Sequence, residues 1–276
     1  DALTDAATER QHSAASHQGG SRRNEKKGQR YRGLRWNFRG ALHRFDASEV
    51  SGLRRHAERE AARQALAAFE MEPQVEGVVS TVASPPAVGA TGQAEQAVEY
   101  CADIDPCKIG LLAGLLNSPL DVERLDAWKA VLEEHDNIEI VGTLEGAYDR
   151  DKSLTAVSNL LQANEDINGI LSNADQQTLG AQIALENAGI DPSSVFLTGG
   201  GGTKEAVQAV RDGKWTADFL NFPVSMGSAA LEQLINQLRG EPVETVVDAD
   251  SLGGFSPFVT KKELDEHPEF TGEWNG

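Results

Sequence analysis

The feature that most constrains the fold is one unit, a short apolar strand followed by an amphipathic helix, repeated five times between residues 108 and 240. Apolar runs of this length are typical of parallel strands that are covered on both faces. Strands that alternate with helices predict an α/β fold with a doubly wound, mostly parallel sheet. The five predicted strands cover residues 108–114, 138–143, 167–173, 195–199 and 215–221.

The helices between these strands carry apolar residues at helical spacing. The clearest case is Leu231, Leu234, Ile235 and Leu238, which follow the i, i+3, i+4, i+7 pattern and predict one buried stripe. In an open parallel sheet, the loops at the carboxyl ends of the strands form a crevice. We therefore expect the functional side chains directly after each strand.

Charge is divided unevenly along the 276 residues. Residues 1–70 contain 14 Lys and Arg against 9 Asp and Glu, whereas residues 71–276 contain 11 against 34. An acidic body of this kind is a poor binder of nucleic acid. The length allows two domains, and no apolar run reaches the roughly 18 residues of a membrane span. The first residues lack the apolar segment of a signal peptide, as in a mature or truncated protein.

The two cysteines, Cys101 and Cys107, lie directly before the first predicted strand. A disulfide between them would close a small loop, stabilise the fold by roughly 2 kcal/mol if unstrained, and indicate an oxidising compartment. The alternative is two reduced thiols, one buried and one exposed. A zinc site is a further alternative, but no histidine or additional cysteine lies nearby in sequence to complete four ligands.

Catalytic motifs are not recognisable in the sequence. Carboxylates are abundant, but none stands with a histidine or a nucleophile at a spacing typical of an active site. We therefore expect a protein that is not an enzyme and that uses no cofactor and no metal.

Six short motifs follow one another in order and carry a family resemblance. They are E-R-L-D-A-W-K-A-V-L (123–132), A-Y-D-R-D-K-S-L (147–154), L-L-Q-A-N-E-D-I-N-G-I (160–170), N-A-D-Q-Q-T-L-G-A (173–181), A-V-R-D-G-K-W-T-A (209–217) and F-P-V-S-M-G (222–227). Together they resemble the C-terminal half of sugar-type, ribose-binding-protein-like solute-binding proteins of ABC transporters, which are type I periplasmic binding proteins. The resemblance covers about residues 75–270.

This resemblance implies a two-lobed α/β fold in which each lobe is a doubly wound, mostly parallel sheet. It implies that residues 71–107 end the N-lobe, that residues 108–240 form the C-lobe, and that residues 241–276 form a return to the N-lobe, the hinge and a tail. The implied function is capture of a sugar or polyol by closure of the lobes. The partner would be an ABC-transporter permease, and the protein would be a monomer outside the cytoplasm, either periplasmic or a cell-surface lipoprotein without its anchor.

The resemblance also implies five ligand contacts. A guanidinium can donate two hydrogen bonds to vicinal hydroxyls, an aromatic ring can pack on the apolar face of a sugar, and an amide can both donate and accept. An aspartate at the start of a helix can bind ligand hydroxyls, cap the helix, or do both. The structural alternatives are a solvated arginine, a tyrosine at the rim and amides that hold the loops. The five residues are Arg124, Tyr148, Asn173, Asp175 and Asn221.

The turn after the fourth strand departs from the family pattern. The family usually has an aspartate there, whereas this chain has four glycines, Gly199–Gly202, before Thr203. The turn keeps the conformational freedom of glycine but lacks the carboxylate. We therefore expect a ligand set that differs from that of a ribose-binding protein.

Residues 1–70 show none of the strands and helices with which the family begins. They contain 12 of the 16 arginines and end in a helix-like run over residues 48–69. An altered reading frame in part of this stretch, or a disordered basic arm, would explain this composition. A LacI-type transcription regulator, whose effector domain shares the fold, is an alternative with this stretch as its DNA-binding headpiece. The missing helix-turn-helix pattern and the acidic body argue against it.

Overall fold

The structure, a computed structural model, describes residues 66–69 and 77–276. The hypotheses about residues 1–70, namely an altered reading frame, a disordered basic arm and a DNA-binding headpiece, lie outside the described residues except at Leu66–Phe69. These four residues form a strand, so the expectation that the helix-like run continues to Phe69 is wrong.

Strands and helices alternate through most of the described residues. The strands are β1 (Leu66–Phe69), β2 (Val78–Ala83), β3 (Cys107–Ala113), β4 (Ile138–Glu145), β5 (Gly169–Ser172), β6 (Phe196–Gly200), β7 (Ala217–Phe219), β8 (Val246–Asp248) and β9 (Phe258–Thr260). The α-helices are α1 (Pro86–Tyr100), α2 (Pro119–Leu132), α3 (Arg150–Ala163), α4 (Asp175–Asn187), α5 (Lys204–Arg211), α6 (Pro223–Arg239) and α7 (Lys261–Glu266). Two 3₁₀ helices cover Pro192–Ser194 and Ala249–Gly253.

The larger sheet has six strands in the order β4-β3-β5-β6-β7-β9. Its first five strands are parallel, and β9 runs antiparallel to β7 at the edge. The five strands predicted from the sequence correspond to β3–β7, which confirms the α/β fold with a mostly parallel sheet. The last predicted strand is shorter than expected, because the pairing of β7 begins at Ala217 and ends at Phe219.

Helices cover both faces of this sheet. Successive residues of a strand point to opposite faces, so Leu111 packs in one core and Leu112 in the other. Helices α1 and α2 cover the face of Leu111, while α3, α4 and α5 cover the face of Leu112. Because helices cover both faces of each interior strand, apolar residues in these strands do not alternate with polar ones.

A second sheet has three parallel strands in the order β1-β2-β8. Helix α6 packs against β1 and β2, and its contact residues Met226 and Ala230 lie in one cluster with Val82. Helix α1, in contrast, packs on the six-stranded sheet. The packing therefore differs from the expected lobe ranges, which placed residues 86–100 with the first lobe and residues 223–239 with the second.

The buried face of α6 also differs from the predicted stripe. Leu231 is 42% exposed and Leu238 is 36% exposed, whereas the buried residues of this helix are Met226, Ala230 and Gln233. The Gln233 side chain accepts a hydrogen bond from the backbone N–H of Glu244 at 2.9 Å. The helix turns the face of Met226, Ala230 and Gln233 to the sheet, and the spacing of the leucines alone does not reveal this face.

Cys101 and Cys107 form a disulfide, with their Cα atoms 5.6 Å apart. The alternatives of two free thiols and of a zinc site are therefore wrong. Both cysteines are fully buried in the core between α1, α2 and the sheet. Asn137 holds the loop, because its side-chain amide donates to the carbonyl oxygens of Cys101 and Ile104. Among the described residues, no helix is long and apolar enough to cross a membrane.

Candidate functional site

The loops that follow β3–β6 meet at one edge of the six-stranded sheet, because these strands are parallel. This edge holds Tyr148 in the loop after β4 and Asn173 directly after β5. Arg124 lies on α2, the helix that follows β3. Asp175 is the first residue of α4, and Asn221 lies between β7 and α6.

Asp121, in the first turn of α2, connects two of these predicted residues. Its side chain is 1% exposed. Oδ1 accepts a hydrogen bond from the Tyr148 hydroxyl and another from Nδ2 of Asn173 at 2.9 Å. Oδ2 accepts from the backbone N–H of Leu115 at 2.7 Å. Three loops of the sheet edge are thus bonded to one carboxylate.

Tyr148 is held in an unusual backbone conformation. Ala147 has a φ of 52° and Tyr148 a φ of 56°, in the left-handed region that costs free energy for residues other than glycine. The ring packs against Gly114 at the end of β3, where an added Cβ would lie 2.5 Å from Cε2 of the ring. The strain and the close approach together fix the ring at the sheet edge, where its side chain is 38% exposed.

The hydroxyl of Tyr148 lies in a mixed electrostatic environment. Burial, and then the hydrogen bond to Asp121, raise the pKa of this phenol well above its usual range. The positive charge of Arg124 acts in the opposite direction and lowers it. Arg124 is half-buried, and its positive charge acts on the Tyr148 hydroxyl. The structure brings Arg124, Tyr148 and Asn173 together around Asp121. We call these four residues the Asp121 cluster.

Asn173 contributes an unpartnered acceptor to this cluster. The residue is 6% exposed, and its Nδ2 group is occupied by Asp121. Its Oδ1 atom is buried and has no hydrogen-bond partner among the described residues. Buried acceptors without a partner are rare in folded proteins, and such an atom is a candidate contact for a ligand.

Asp175 lies beside the Asp121 cluster but is fully buried. Ala174 occupies the N-cap position of α4, so the expectation that Asp175 caps this helix is wrong. The carboxylate instead accepts a hydrogen bond from the backbone N–H of Thr203 at 2.7 Å. Its other oxygen faces Asp218 of β7 beneath Gly199, since an added Cβ at Gly199 would lie 2.8 Å from Asp175 Oδ1 and 3.0 Å from Asp218 Oδ1.

The two buried carboxyl groups influence each other. Burial raises the pKa of Asp175. Burial, and then the negative charge of Asp175, raise the pKa of Asp218 well above its usual range. Two carboxylates this close cannot both ionise without cost. A proton on Asp218 would relieve this repulsion and let its carboxyl group donate to Asp175.

Asn221 is half-buried in the segment after β7. Its backbone carbonyl oxygen lies against Gly202, 3.1 Å from the position of an added Cβ, and Gly202 has a φ of 66°. The glycine turn therefore lies between Asp175 on one side and Asn221 on the other. Here glycine is required by both backbone conformation and space.

A surface pocket of about 350 Å³ opens beside this edge. Tyr148 and Asp175 line it, together with residues at the start of α3, α4 and α5 and with Asn275 and Gly276. Arg124, Asn173 and Asn221 are not among its lining residues. The pocket thus contains two of the five predicted residues and does not unite them all.

Four buried polar residues at this edge were not predicted from the sequence. Asp121 and Asp218 are carboxylates, and Gln93 and Gln177 are amides that bind backbone carbonyl oxygens. Gln93 donates to the carbonyl of Gly199 at 2.7 Å and accepts from the indole N–H of Trp128. An aspartate within the apolar run of β7 was a usable signal for Asp218, since buried charges in strands are rare.

The cluster offers charged donors, an acceptor and an aromatic face. Arg124 supplies charged donors, Asn173 supplies an acceptor and Tyr148 supplies a ring. In the part of the chain that the structure describes, no three His, Cys, Asp or Glu side chains are grouped so as to hold a metal ion. The arrangement suits a polar ligand with hydroxyl groups and an apolar ring face.

Comparison with known families gives a match to the periplasmic binding protein domain over residues 51–242, more than half of the chain. The chain belongs to this periplasmic binding protein family. Its fold is the type I periplasmic-binding-protein fold, with mixed α/β structure and mostly parallel sheets. The family match begins at residue 51, so it includes about twenty residues of the basic stretch in which the sequence showed no family pattern.

Several relatives of known function are similar in sequence. The ribose import binding protein RbsB of Escherichia coli (strain K12) is 29% identical over 143 residues, which are 52% of this chain and 47% of that protein. The D-allose-binding periplasmic protein of Escherichia coli (strain K12) is 26% identical over 163 residues, 59% of this chain and 46% of that protein. The chain spans about half the length of the relatives that it matches.

Solved structures of the periplasmic binding protein family are similar as well. An ABC transporter solute-binding protein from Mycobacterium smegmatis with bound glycerol is 26% identical, with a TM-score of 0.64 over 77% of this chain and 72% of that chain. One from Agrobacterium vitis with bound D-fucose is 18% identical, with a TM-score of 0.67 over the same shares, 77% and 72%. The second likeness shows the fold alone.

Proposed function

We propose that this periplasmic binding protein captures a sugar or a related polyol at the Asp121 cluster and leaves it chemically unchanged. The observation that carries the proposal is the hydrogen-bonded group of Asp121, Tyr148 and Asn173, with Arg124 beside it. It presents an aromatic face, charged donors and a free acceptor at one edge of a parallel sheet. These are the groups that bind the C–H face and the hydroxyls of a carbohydrate.

The family relationship supports a sugar. Relatives include proteins named for ribose and D-allose. The missing carboxylate in the Gly199–Gly202 turn favours a ligand other than ribose. The proposed contacts are Arg124, Tyr148, Asn173 and Asn221. Asp175 is fully buried, and we propose that it acts in the site by supporting the turn from below.

The proposed context is an ABC importer outside the cytoplasm. The Cys101–Cys107 disulfide supports this location, since disulfides persist in oxidising compartments. The protein would act as a monomer, bind its solute as the two lobes close, and present the closed form to a membrane permease. The DNA-binding segment of the alternative regulator would fall outside the described residues, and no observation favours that function.

The proposal is tested by a thermal-shift panel of pentoses, hexoses, polyols and amino acids. A ligand at 100 times its Kd is expected to stabilise the protein by about 2.7 kcal/mol. Arg124→Ala is expected to lose most of this effect, because the guanidinium donates to the ligand. Lys214→Ala removes an exposed cation next to the amino end of β7 and serves as the matched control.

Two outcomes would contradict the proposal. The first is a panel in which no sugar or polyol stabilises the wild type. The second is an Arg124→Ala variant that is stabilised as strongly as the wild type and the Lys214→Ala control. A gel-shift experiment with genomic DNA fragments, in which we expect no binding, separates the proposed function from that of a regulator.

A further inference from the structure

Asp121 holds Asn173 in one orientation. A carboxylate accepts hydrogen bonds and donates none, whereas a side-chain amide has a donating end and an accepting end. The amide of Asn173 lies 2.9 Å from Asp121 Oδ1, so only its Nδ2 end can face this oxygen favourably. The Oδ1 end is thereby turned away from Asp121, and it is the end that lacks a partner among the described residues.

We propose that Asp121 is a positioning residue that orients the amide of Asn173 as an acceptor, so that the site selects a ligand group that donates a hydrogen bond there. This inference rests on the proposed function and deepens it. In a sugar or polyol the selected group is a hydroxyl, because a ring or ether oxygen cannot donate. Asp121 thus determines specificity through Asn173, without contacting the ligand.

The surroundings of Asp121 support this role. Its Oδ1 atom is shared with the Tyr148 hydroxyl, and its Oδ2 atom is held by the backbone N–H of Leu115. The carboxylate is therefore fixed at both oxygens and is 1% exposed. A rigid acceptor orients a partner amide more firmly than a solvated one, because water cannot replace it.

The selectivity of the site can be measured with fluorinated sugars. The probes are the sugar that gives the largest thermal shift with the wild type and its monodeoxyfluoro analogues, in which a hydroxyl is replaced by fluorine that cannot donate. For the hydroxyl next to Asn173, we expect the wild type to bind the analogue roughly tenfold or more weakly than the parent sugar. Asn173→Ala identifies this hydroxyl, because it removes the penalty.

Asp121 variants then test the inference. In Asp121→Ala the amide of Asn173 can turn, and the penalty for that analogue is expected to fall to less than about threefold. Asp121→Asn keeps one oxygen that can accept from Asn173 but turns an amide nitrogen towards the Leu115 N–H, so it is expected to restore the penalty in part. Asp126→Ala, an exposed position on the same helix, is the matched control and is expected to keep the wild-type value. If the Asp121→Ala variant does not fold, Asp121→Ser is used in its place, because the serine side chain is too short to reach Asn173.

A second readout needs no ligand. The side-chain amide protons of Asn173, assigned by nuclear magnetic resonance with Asn173→Ala, are expected to be protected from hydrogen exchange in the wild type and in Asp126→Ala. In Asp121→Ala we expect their exchange to be roughly tenfold faster or more, because the hydrogen bond to the carboxylate is lost.

The two readouts separate the inference from the proposed function. A fluorine penalty that is unchanged in Asp121→Ala, or an exchange rate of Asn173 that does not depend on Asp121, would overturn the inference while sugar binding stands. A wild type that binds no sugar, with Asn173 exchange still dependent on Asp121, would contradict the proposed function and the selectivity together, and leave only the orientation of the amide.

Discussion

Asp175 and Asp218 lie together beneath the Gly199–Gly202 turn, where both carboxyl groups are fully buried. Thr203 and Gly202 donate backbone hydrogen bonds to this pair, at 2.7 Å and 3.1 Å. The pair thus holds the turn to β7 from below. Because burial and the charge of Asp175 raise the pKa of Asp218, the folded protein retains a proton that the unfolded chain releases at lower pH.

This difference predicts a pH-dependent stability. As pH rises from the ordinary range of an aspartate towards the raised pKa of Asp218, the unfolded state binds fewer protons than the folded state. The free energy of unfolding should therefore fall by up to about 1.4 kcal/mol per pH unit, the slope for one proton. Asp218→Asn cannot ionise and can still donate to Asp175, so the part of this fall that comes from Asp218 should disappear.

The free energy of unfolding in urea is measured from pH 4 to pH 8 for Asp218→Asn and for the wild type. The difference between the two curves gives the contribution of Asp218. Asp103→Asn, at an exposed position, is the control and should follow the wild-type curve. A pH dependence in Asp218→Asn that parallels the wild type would show that the pair holds no proton in this range.

At the residue scale, the family motifs predicted a position for the proposed site but not its hydrogen bonds. The family motifs pointed to Arg124, Tyr148 and Asn173, which the structure brings together. They did not reveal Asp121, because its importance comes from contacts between loops that are 27 and 52 residues away in sequence. The ligand role of all five predicted residues stays a prediction.

The C-terminal segment is an element that the sequence analysis described only as a tail. Glu273 accepts hydrogen bonds from the backbone N–H groups of Val224 and Ser225 at the start of α6, at 3.0 and 3.1 Å. Trp274 donates from its indole N–H to the carbonyl of Gly201 at 2.7 Å. The segment therefore ties the helix on the three-stranded sheet to the glycine turn of the six-stranded sheet.

Glu273→Gln tests this tie. A carboxylate at a helix N-terminus satisfies free backbone N–H groups and interacts favourably with the helix dipole. Its loss should lower the free energy of unfolding by about 1 kcal/mol, measured by urea unfolding. Glu266→Gln, at an exposed position, should change stability by less than about 0.5 kcal/mol. Equal effects of the two substitutions would mean that Glu273 does not stabilise α6.

At the element scale, the periodicity of apolar residues predicted the strands β3–β7. It did not predict the buried face of α6 or the strand β1, which depend on tertiary contacts. The strands β3–β7 were found because a strand that is buried on both faces is apolar throughout. The buried face of α6 was not, because Leu231 and Leu238 form a regular stripe that the helix leaves exposed. The strand β1 was read as helix-like, since an alanine-rich run has helical propensity and pairing with β2 overrides it.

At the scale of the whole molecule, the described chain passes between the two sheets three times. The connections join β2 to α1, β7 to α6, and β8 to β9. Ser84 in the first connection donates to Asp250 in the third at 2.6 Å. Short connections side by side are the usual place for a hinge, so closure of the lobes around a ligand would move these residues least.

We propose above that the Asp121 cluster holds a sugar. The most direct measurement is a crystal structure of the full chain with the sugar that gives the largest thermal shift. We expect a sugar ring against Tyr148, with hydroxyl groups within hydrogen-bond distance of the Arg124 guanidinium and of Asn173 Oδ1. A sugar bound at saturation elsewhere, with the Asp121 cluster unoccupied, would contradict it.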